Sequence, residues 1–275
     1  MSRLLSLAHL SAIDLPPPEL IHTAADVGFD AVGLRLIRVT ETSPGYALMD
    51  DAAMMRATRA AIQATGLKVH DIEFIKIEPH TDVATLERVL DAGAELGATE
   101  VITAPYDLDL GRLSDRLADL TERANARGLG VVLEFFPWTV VPTLEAALDV
   151  VTAAGPTVGI LPDSLHFDRS PSRLDTLRAL SPERLRFAHM CDAPVHPPYS
   201  TEDLLFAGRA ERLAPGEGQI DLASFVNSLP GDLPLALEVP MTALAADKGP
   251  KAVIERIMAS TRRFLDGLAD QSVTG

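Results

Sequence analysis

Four short apolar runs in the second half of the sequence each end in a group that can bind a metal or move a proton. Val131-Val-Leu-Glu134 and Leu235-Ala-Leu-Glu238 end in carboxylates, and Leu185-Arg-Phe-Ala-His189 ends in an imidazole. The fourth run, Val158-Gly-Ile-Leu161, passes through Pro162 into Asp163, with His166 three residues further on. A single strand-end Glu is usually a solvated rim residue. A lone His after an apolar run is usually a hydrogen-bonded core residue. Neither explanation covers four ligand-type endings on four consecutive runs. If the runs are parallel neighbours, Glu134, Asp163, His189 and Glu238 converge at one edge of one sheet. Three carboxylates and one imidazole make an oxygen-rich set, suited to Mn²⁺, Mg²⁺ or Co²⁺ rather than to a thiolate-loving metal.

A second group of residues surrounds this quartet. His166 follows Asp163 by three positions and Asp192 follows His189 by three, spacings that suit groups orienting the ligands or touching a substrate. Trp138, the only tryptophan, lies four residues after Glu134 and can wall a pocket or simply pack. His70 alternates with Val69 and Asp71 in an apolar run, so the sequence leaves its side open. The segment from Asp192 to Gln219 is far longer than an ordinary connection, and such loops are often functional. It is expected to cover part of the site, with Tyr199, Arg209 and Arg212 as substrate contacts. Cys191 is the single cysteine; it excludes an intramolecular disulfide and fits a reducing compartment, and it reads as a small buried apolar residue.

The elements that must position these groups follow from hydrophobic periodicity. Strand-like runs are expected at about Leu4–Leu10, Phe29–Leu36, Leu67–Phe74, Thr99–Thr103, Val131–Glu134, Val158–Leu161, Leu185–His189 and Leu235–Glu238. Helical patterns follow each run, with a glycine repeatedly at the helix-to-strand joint, and the segment 192–219 is expected to be loop. Eight strands alternating with eight helices predict a (β/α)₈ TIM barrel, an α/β fold whose site lies at the C-terminal ends of its strands. An open doubly wound sheet would need a glycine-rich phosphate turn after the first strand, and Leu10-Ser-Ala-Ile-Asp-Leu15 supplies none.

The 275 residues, 47% hydrophobic, are enough for one large core, so residues 1–275 are expected to form a single domain. The formal net charge of −15 argues against nucleic acid or an anionic membrane as partner. No apolar run is long enough to span a bilayer, and the start of the chain reads as the first strand rather than a secretory leader. The expected location is the cytoplasm, with homo-oligomer formation left open. No Walker loop, HExxH, paired CxxC or GxSxG is present.

On these pieces the chain resembles the xylose isomerase-like barrels, in particular the sugar phosphate isomerase/epimerase group related to endonuclease IV. The resemblance rests on Glu134-Phe-Phe-Pro-Trp138, Asp163-Ser-Leu-His166, His189-Met-Cys-Asp192, Pro215-Gly-Glu217-Gly-Gln-Ile-Asp221 and Glu238-Val239. It implies that Glu134, Asp163, His189 and Glu238 bind one divalent ion, Mn²⁺ being commonest. It also implies that Glu134 and Glu238 form an acid/base pair and that His166 contacts substrate. The substrate would be a small polyhydroxy-ketone, isomerised or epimerised through an enediolate; the group also holds inosose and dehydroshikimate dehydratases, in which His166 could protonate a leaving hydroxyl. The chain departs from the ketohexose epimerases at two substrate positions, having Val140 where they carry Glu and Val195 where they carry Arg.

Overall fold

The computed structural model describes residues 3–274. The first half runs β1 (Leu5–Leu7), α1 (Pro17–Val27), β2 (Ala31–Arg35), α2 (Ala52–Thr65), β3 (Lys68–Ile77), α3 (Glu87–Glu95), β4 (Glu100–Pro105) and α4 (Leu110–Asn125). The second half runs β5 (Gly130–Glu134), α5 (Leu144–Ala154), β6 (Val158–Leu161), α6 (Ser164–Asp168), α7 (Leu174–Arg178) and β7 (Ala188–Met190). It continues with α8 (Thr201–Arg209), α9 (Leu222–Asn227), β8 (Leu235–Leu237), α10 (Thr242–Lys248) and α11 (Pro250–Thr274). Local chemistry sets several boundaries. Asp51, Asp109 and Thr143 cap α2, α4 and α5 by accepting backbone N–H bonds of the first turn. Gly28, at φ 96°, closes α1 in the left-handed region that a side chain would disfavour.

All strand pairs are parallel, in the order β6-β5-β4-β3-β2-β1-β8-β7. The ring closes between β6 and β7 through two isolated parallel bridges, Ile160 with Leu185 and Asp163 with His189. The result is the expected single TIM barrel, eight parallel strands forming a nearly closed ring inside its helices. Two layers of apolar side chains hold it. The larger packs strands against helices and includes Val131 and Leu133 of β5, Ala188 and Met190 of β7, and Leu235 and Leu237 of β8. A small one fills the barrel interior with Ile102, Val132, Leu161, Phe187 and Ala236.

Three departures from the sequence reading concern connections. The segment 192–219 is not all loop: α8 lies inside it, started by a capping box in which Ser200 and Asp203 satisfy each other's backbone N–H groups. The short helices α6 and α10 also go beyond the expected eight. The first strand is shorter than expected because His9–Ala12 turns as a 3₁₀ helix.

Candidate metal centre and substrate cavity

Alternation along the strands brings the quartet together. Successive residues of a strand face opposite sides, so a residue two places after an interior one faces the interior again. Val132, Leu161, Phe187 and Ala236 all pack inside the barrel. Two residues beyond each of them stand Glu134, Asp163, His189 and Glu238. Strand ends and period therefore carry all four inward at the C-terminal mouth. The bridge between Asp163 and His189 locks the two ligands of the closing seam side by side.

One ligand atom from each of the four lies within 4.8 Å of the others, and all four residues are buried. His189 Nδ1 is 3.6 Å from Glu134 Oε1, 3.6 Å from Glu238 Oε2 and 3.9 Å from Asp163 Oδ2. Both nitrogens of His189 and Oε1 of Glu134 are buried without a hydrogen-bond partner. An unpaired buried polar atom costs roughly 1–3 kcal/mol, so three in one cluster are poorly explained by folding alone. A divalent cation fits them: the donors are three hard carboxylates and one imidazole, converging on one point.

Arg212 balances part of the charge. Its Nη1 lies 2.7 Å from Asp163 Oδ2 and its Nη2 2.8 Å from Glu238 Oε2, with the side chain almost wholly buried. Burial opposes charge on Asp163 and Glu238, but Arg212 and the nearby histidines outweigh it and hold both below the usual carboxylate range. Glu134 has no arginine beside it, and burial outweighs the opposing effect of His189 and raises it to about 8. Burial also works against charge on His189, yet the facing carboxylates of Glu238 and Glu134 raise it well above its ordinary value. Without a metal, then, protons do part of a cation's work in the cluster.

Beside the quartet opens a cavity of about 270 Å³. Of the quartet, Glu134 and Glu238 line it and Asp163 and His189 do not. Its walls include Phe74, Tyr106, Phe136 and Trp138, with Arg35 and Arg209 as further charged groups. A larger hollow of about 500 Å³ lies between α2 and α3, but no buried unpaired polar atom faces it.

The other residues singled out from sequence divide clearly. Trp138 lines the cavity and donates from Nε1 to the Tyr106 hydroxyl at 3.3 Å. Arg209 lines it from the end of α8, and Gly208 lets the helix approach, since a Cβ there would lie 2.8 Å from the Trp138 ring. The segment 192–219 thus forms part of the wall. His166 is not on that wall. It is buried behind Glu134, with Nε2 3.7 Å from Glu134 Oε1, and it meets Phe136 and Trp138 edge-on. Burial lowers its pKa to about 4, so its ring is neutral at pH 7.

Four expected substrate contacts are placed differently. Arg212 reaches the cavity rim, but its guanidinium is taken up by Asp163, Glu238 and the carbonyls of Ala207, Gly208 and Glu238. Asp192 is buried and accepts four backbone N–H bonds, from Ala193, Gly216, Gly218 and Ile220, which leaves no lone pair directed at a ligand. Tyr199 stacks on the Arg169 guanidinium at 3.6 Å and accepts from the His196 backbone, away from the cavity. His70 lies toward the N-terminal end of the barrel, next to Asp71, which pairs with Glu100 at the start of β4. Its ring packs on Phe187 at 4.6 Å. Cys191 is buried and its thiol is pushed up to about 12 by burial, as befits a packing residue.

The sequence reading missed Arg35, Glu73, Phe74 and Tyr106. Arg35 had the same signal as the ligands, a charged residue ending the apolar run Ala31-Val-Gly-Leu-Arg35, and facing inward by the same alternation.

Comparison with known proteins agrees with this architecture. Residues 21–263 match the family model of the xylose isomerase-like TIM barrel. An inosose isomerase of Bacillus velezensis is 26% identical over 158 residues, 54% of this chain and 54% of that protein. A 3-dehydroshikimate dehydratase of Pseudomonas aeruginosa is 34% identical over 166 residues, 56% of this chain and 25% of that protein. The chain thus spans about half or less of the length of these curated relatives. The solved structure of the IOLI protein, which contains a zinc atom, matches with a TM-score of 0.79 at 18% identity, covering 96% of this chain and 98% of that one. Among the described residues no helix is long and apolar enough to cross a membrane.

Proposed function

The chain belongs to the xylose isomerase-like TIM barrel family, and from that premise we propose that it is a divalent-metal-dependent isomerase or epimerase of a small polyhydroxy-ketone. The observation that carries this reading is the split within the quartet. All four residues converge on one point, but Glu134 and Glu238 alone among them also face the cavity. Two residues then serve purely to hold an ion, while two can hold it and reach a bound substrate. The relatives named inosose isomerase and 3-dehydroshikimate dehydratase support an enzyme acting on a polyhydroxy-keto ring.

The chemistry follows from what the side chains can do. A proton on carbon beside a carbonyl is too weakly acidic for a free carboxylate to remove quickly. A divalent ion on Glu134, Asp163, His189 and Glu238 would supply Lewis-acid stabilisation of the charge developing on the carbonyl oxygen, an effect of several kcal/mol. Glu238, kept ionised by Arg212 and His189, is the base; a carboxylate in hydrogen-bond reach adds roughly 10²–10⁴-fold. The resulting carbanion equivalent takes back the proton from Glu238 in an isomerisation, or a solvent proton relayed through Glu134 on the other side in an epimerisation, with Glu238 then returning its own proton to solvent. Phe74, Phe136 and Trp138 exclude water from one side of the cavity, and neutral His166 packs behind Glu134 and restricts its position. Which ion is loaded, Mn²⁺, Mg²⁺, Co²⁺ or the zinc seen in the IOLI protein, is set by availability as much as by this donor set.

A dehydratase is the second reading, favoured by one observation. The Tyr106 hydroxyl accepts from Trp138 and lines the cavity, so its own proton is free to go to a leaving hydroxyl. Tyr106 suits that role better than His166, which stands behind the wall. Turnover in D₂O with a panel of ketoses, inososes and 3-dehydroshikimate separates the readings. Isomerase or epimerase action leaves a product of unchanged composition with solvent deuterium on carbon. Dehydration gives a product lighter by one water. Failure of the metal-loaded protein both to act on any hydroxy-ketone and to exchange its α-proton would contradict both.

A further inference from the structure

Arg35 ends β2 facing the cavity and is only 6% exposed. Its backbone is pinned: its N–H donates to His9 Nδ1 at 2.9 Å, while His9 Nε2 donates to the Leu15 carbonyl at 2.9 Å. The guanidinium donates from one Nη to Glu73 Oε2 at 3.0 Å, and its Nε is buried with no partner. Its other Nη has no protein acceptor among the described residues and is not buried, so it is the donor that Arg35 offers to the cavity it lines. Arg209, exposed at the end of α8, lines the same cavity and is in none of the ion pairs formed among the described residues.

The charge count gives the acceptor its sign. Glu134, Asp163 and Glu238 contribute three negative charges, which one divalent ion and Arg212 balance. Arg35 and Glu73 cancel, and Arg209 remains. In a chain of net charge −15, this cavity therefore has room for one more negative charge. The available donors favour a carboxylate over a phosphate. A guanidinium edge matches a planar carboxylate bidentately, whereas phosphate sites usually add backbone N–H groups at a helix N-terminus. The volume of about 270 Å³ is at the small end for ligand sites, and its aromatic walls suit a compact ring.

We propose that the substrate carries a carboxylate, bound by Arg35 and Arg209, and that this anion site selects a hydroxy-keto acid over neutral ketoses and cyclitols. The proposal rests on the hydroxy-ketone reading for its reactive end and on Arg35 and Arg209 for its charged end.

Two measurements on the full-length, metal-loaded protein test it. The first compares kcat/KM for 3-dehydroshikimate, its methyl ester, a neutral inosose and a ketose phosphate. The acid is expected to exceed the ester and the inosose by roughly 10–100-fold, mostly through KM. Arg209→Ala is expected to narrow the acid-to-ester ratio about tenfold. Equal rates on acid and ester, a preference for the ketose phosphate, or an Arg209→Ala ratio identical to the parent's would overturn it. The second uses calorimetry with shikimate and methyl shikimate, which have no ketone to react. Shikimate should bind about tenfold or more tighter than its ester. The difference should vanish in the Arg35→Gln/Glu73→Gln double variant, which removes both buried charges together and so avoids stranding one. Selective binding of shikimate without turnover of any hydroxy-ketone would uphold the anion site and sink the reaction. Equal binding of acid and ester would sink the anion site, whatever the turnover.

Discussion

Arg212 Nη2 lies 2.8 Å from Glu238 Oε2, and Nη1 of the same guanidinium lies 2.7 Å from Asp163 Oδ2, with all three side chains buried. One cation from the segment after β7 therefore holds two carboxylates of the candidate metal quartet, which follow β6 and β8. Arg212→Met would leave both acids buried and facing each other. Breaking a buried pair costs about 3–5 kcal/mol, because the remaining charge is uncompensated. The metal-free variant should melt far below the parent, and saturating divalent ion should recover much of the loss. Equal melting temperatures for the metal-free parent and variant would show that the pair does not matter.

Glu134 sets a pH dependence for metal binding. Burial raises its pKa to about 8 in the metal-free protein, so below that pH an incoming ion must displace its proton. Affinity should rise with pH, by about tenfold per unit for each proton displaced, because His189, whose pKa is also raised, must give up its proton as well. Calorimetry in buffers of different ionisation enthalpy counts the protons. Release of none at pH 7 would contradict the burial argument.

Asp192 ties the segment 192–219 down by accepting four backbone N–H bonds, two of them from Gly216 and Gly218. A Cβ at Gly218 would lie 2.3 Å from Asp192 Oδ1. Asp192→Ala should destabilise the fold by several kcal/mol, since each buried N–H left unpaired costs roughly 1–3 kcal/mol. Gly218→Ala should weaken the same anchor by steric displacement. Denaturant melts check both, and a change under about 0.5 kcal/mol, the usual range for a surface substitution, would contradict the anchoring role.

Gly208 is the contact between α8 and Trp138. Alanine favours a helix over glycine by about 1 kcal/mol, so Gly208→Ala would stabilise α8 in isolation. Against that, its Cβ would meet the Trp138 ring at 2.8 Å and push it into the cavity. Trp138 is the only tryptophan, so fluorescence reads the displacement directly. The expected outcome is a shifted emission maximum with a raised KM. An unchanged spectrum would mean that the helix does not rest on the ring.

The barrel and the convergence of the candidate metal quartet were legible because both follow from local pattern. Apolar runs with period-two alternation fix which strand-end residues face inward, and Glu134, Asp163, His189 and Glu238 sit at those ends. Side chains whose partners come from distant backbone were not legible. The role of Asp192 depends on four N–H groups, three of them 24 to 28 residues further on, and that of Arg212 on two acids of other strands. His166 has the spacing of a substrate contact, but the one-turn helix α6 carries it behind Glu134. The helix α8 has a readable signal in Ser200-Thr-Glu-Asp203, a capping box inside a segment whose length and prolines otherwise suggest loop.

Four strand ends are expected to build one divalent-metal centre. Metal analysis after equilibration with Mn²⁺, Co²⁺ or Zn²⁺ and gel filtration tests it most directly. The parent protein should retain one ion per chain. Asp163→Ala and His189→Ala, whose side chains lie off the cavity wall, should retain almost none while keeping the parent's circular dichroism. A parent protein that holds no ion, or a folded Asp163→Ala/His189→Ala double variant that still holds one per chain, would contradict the account.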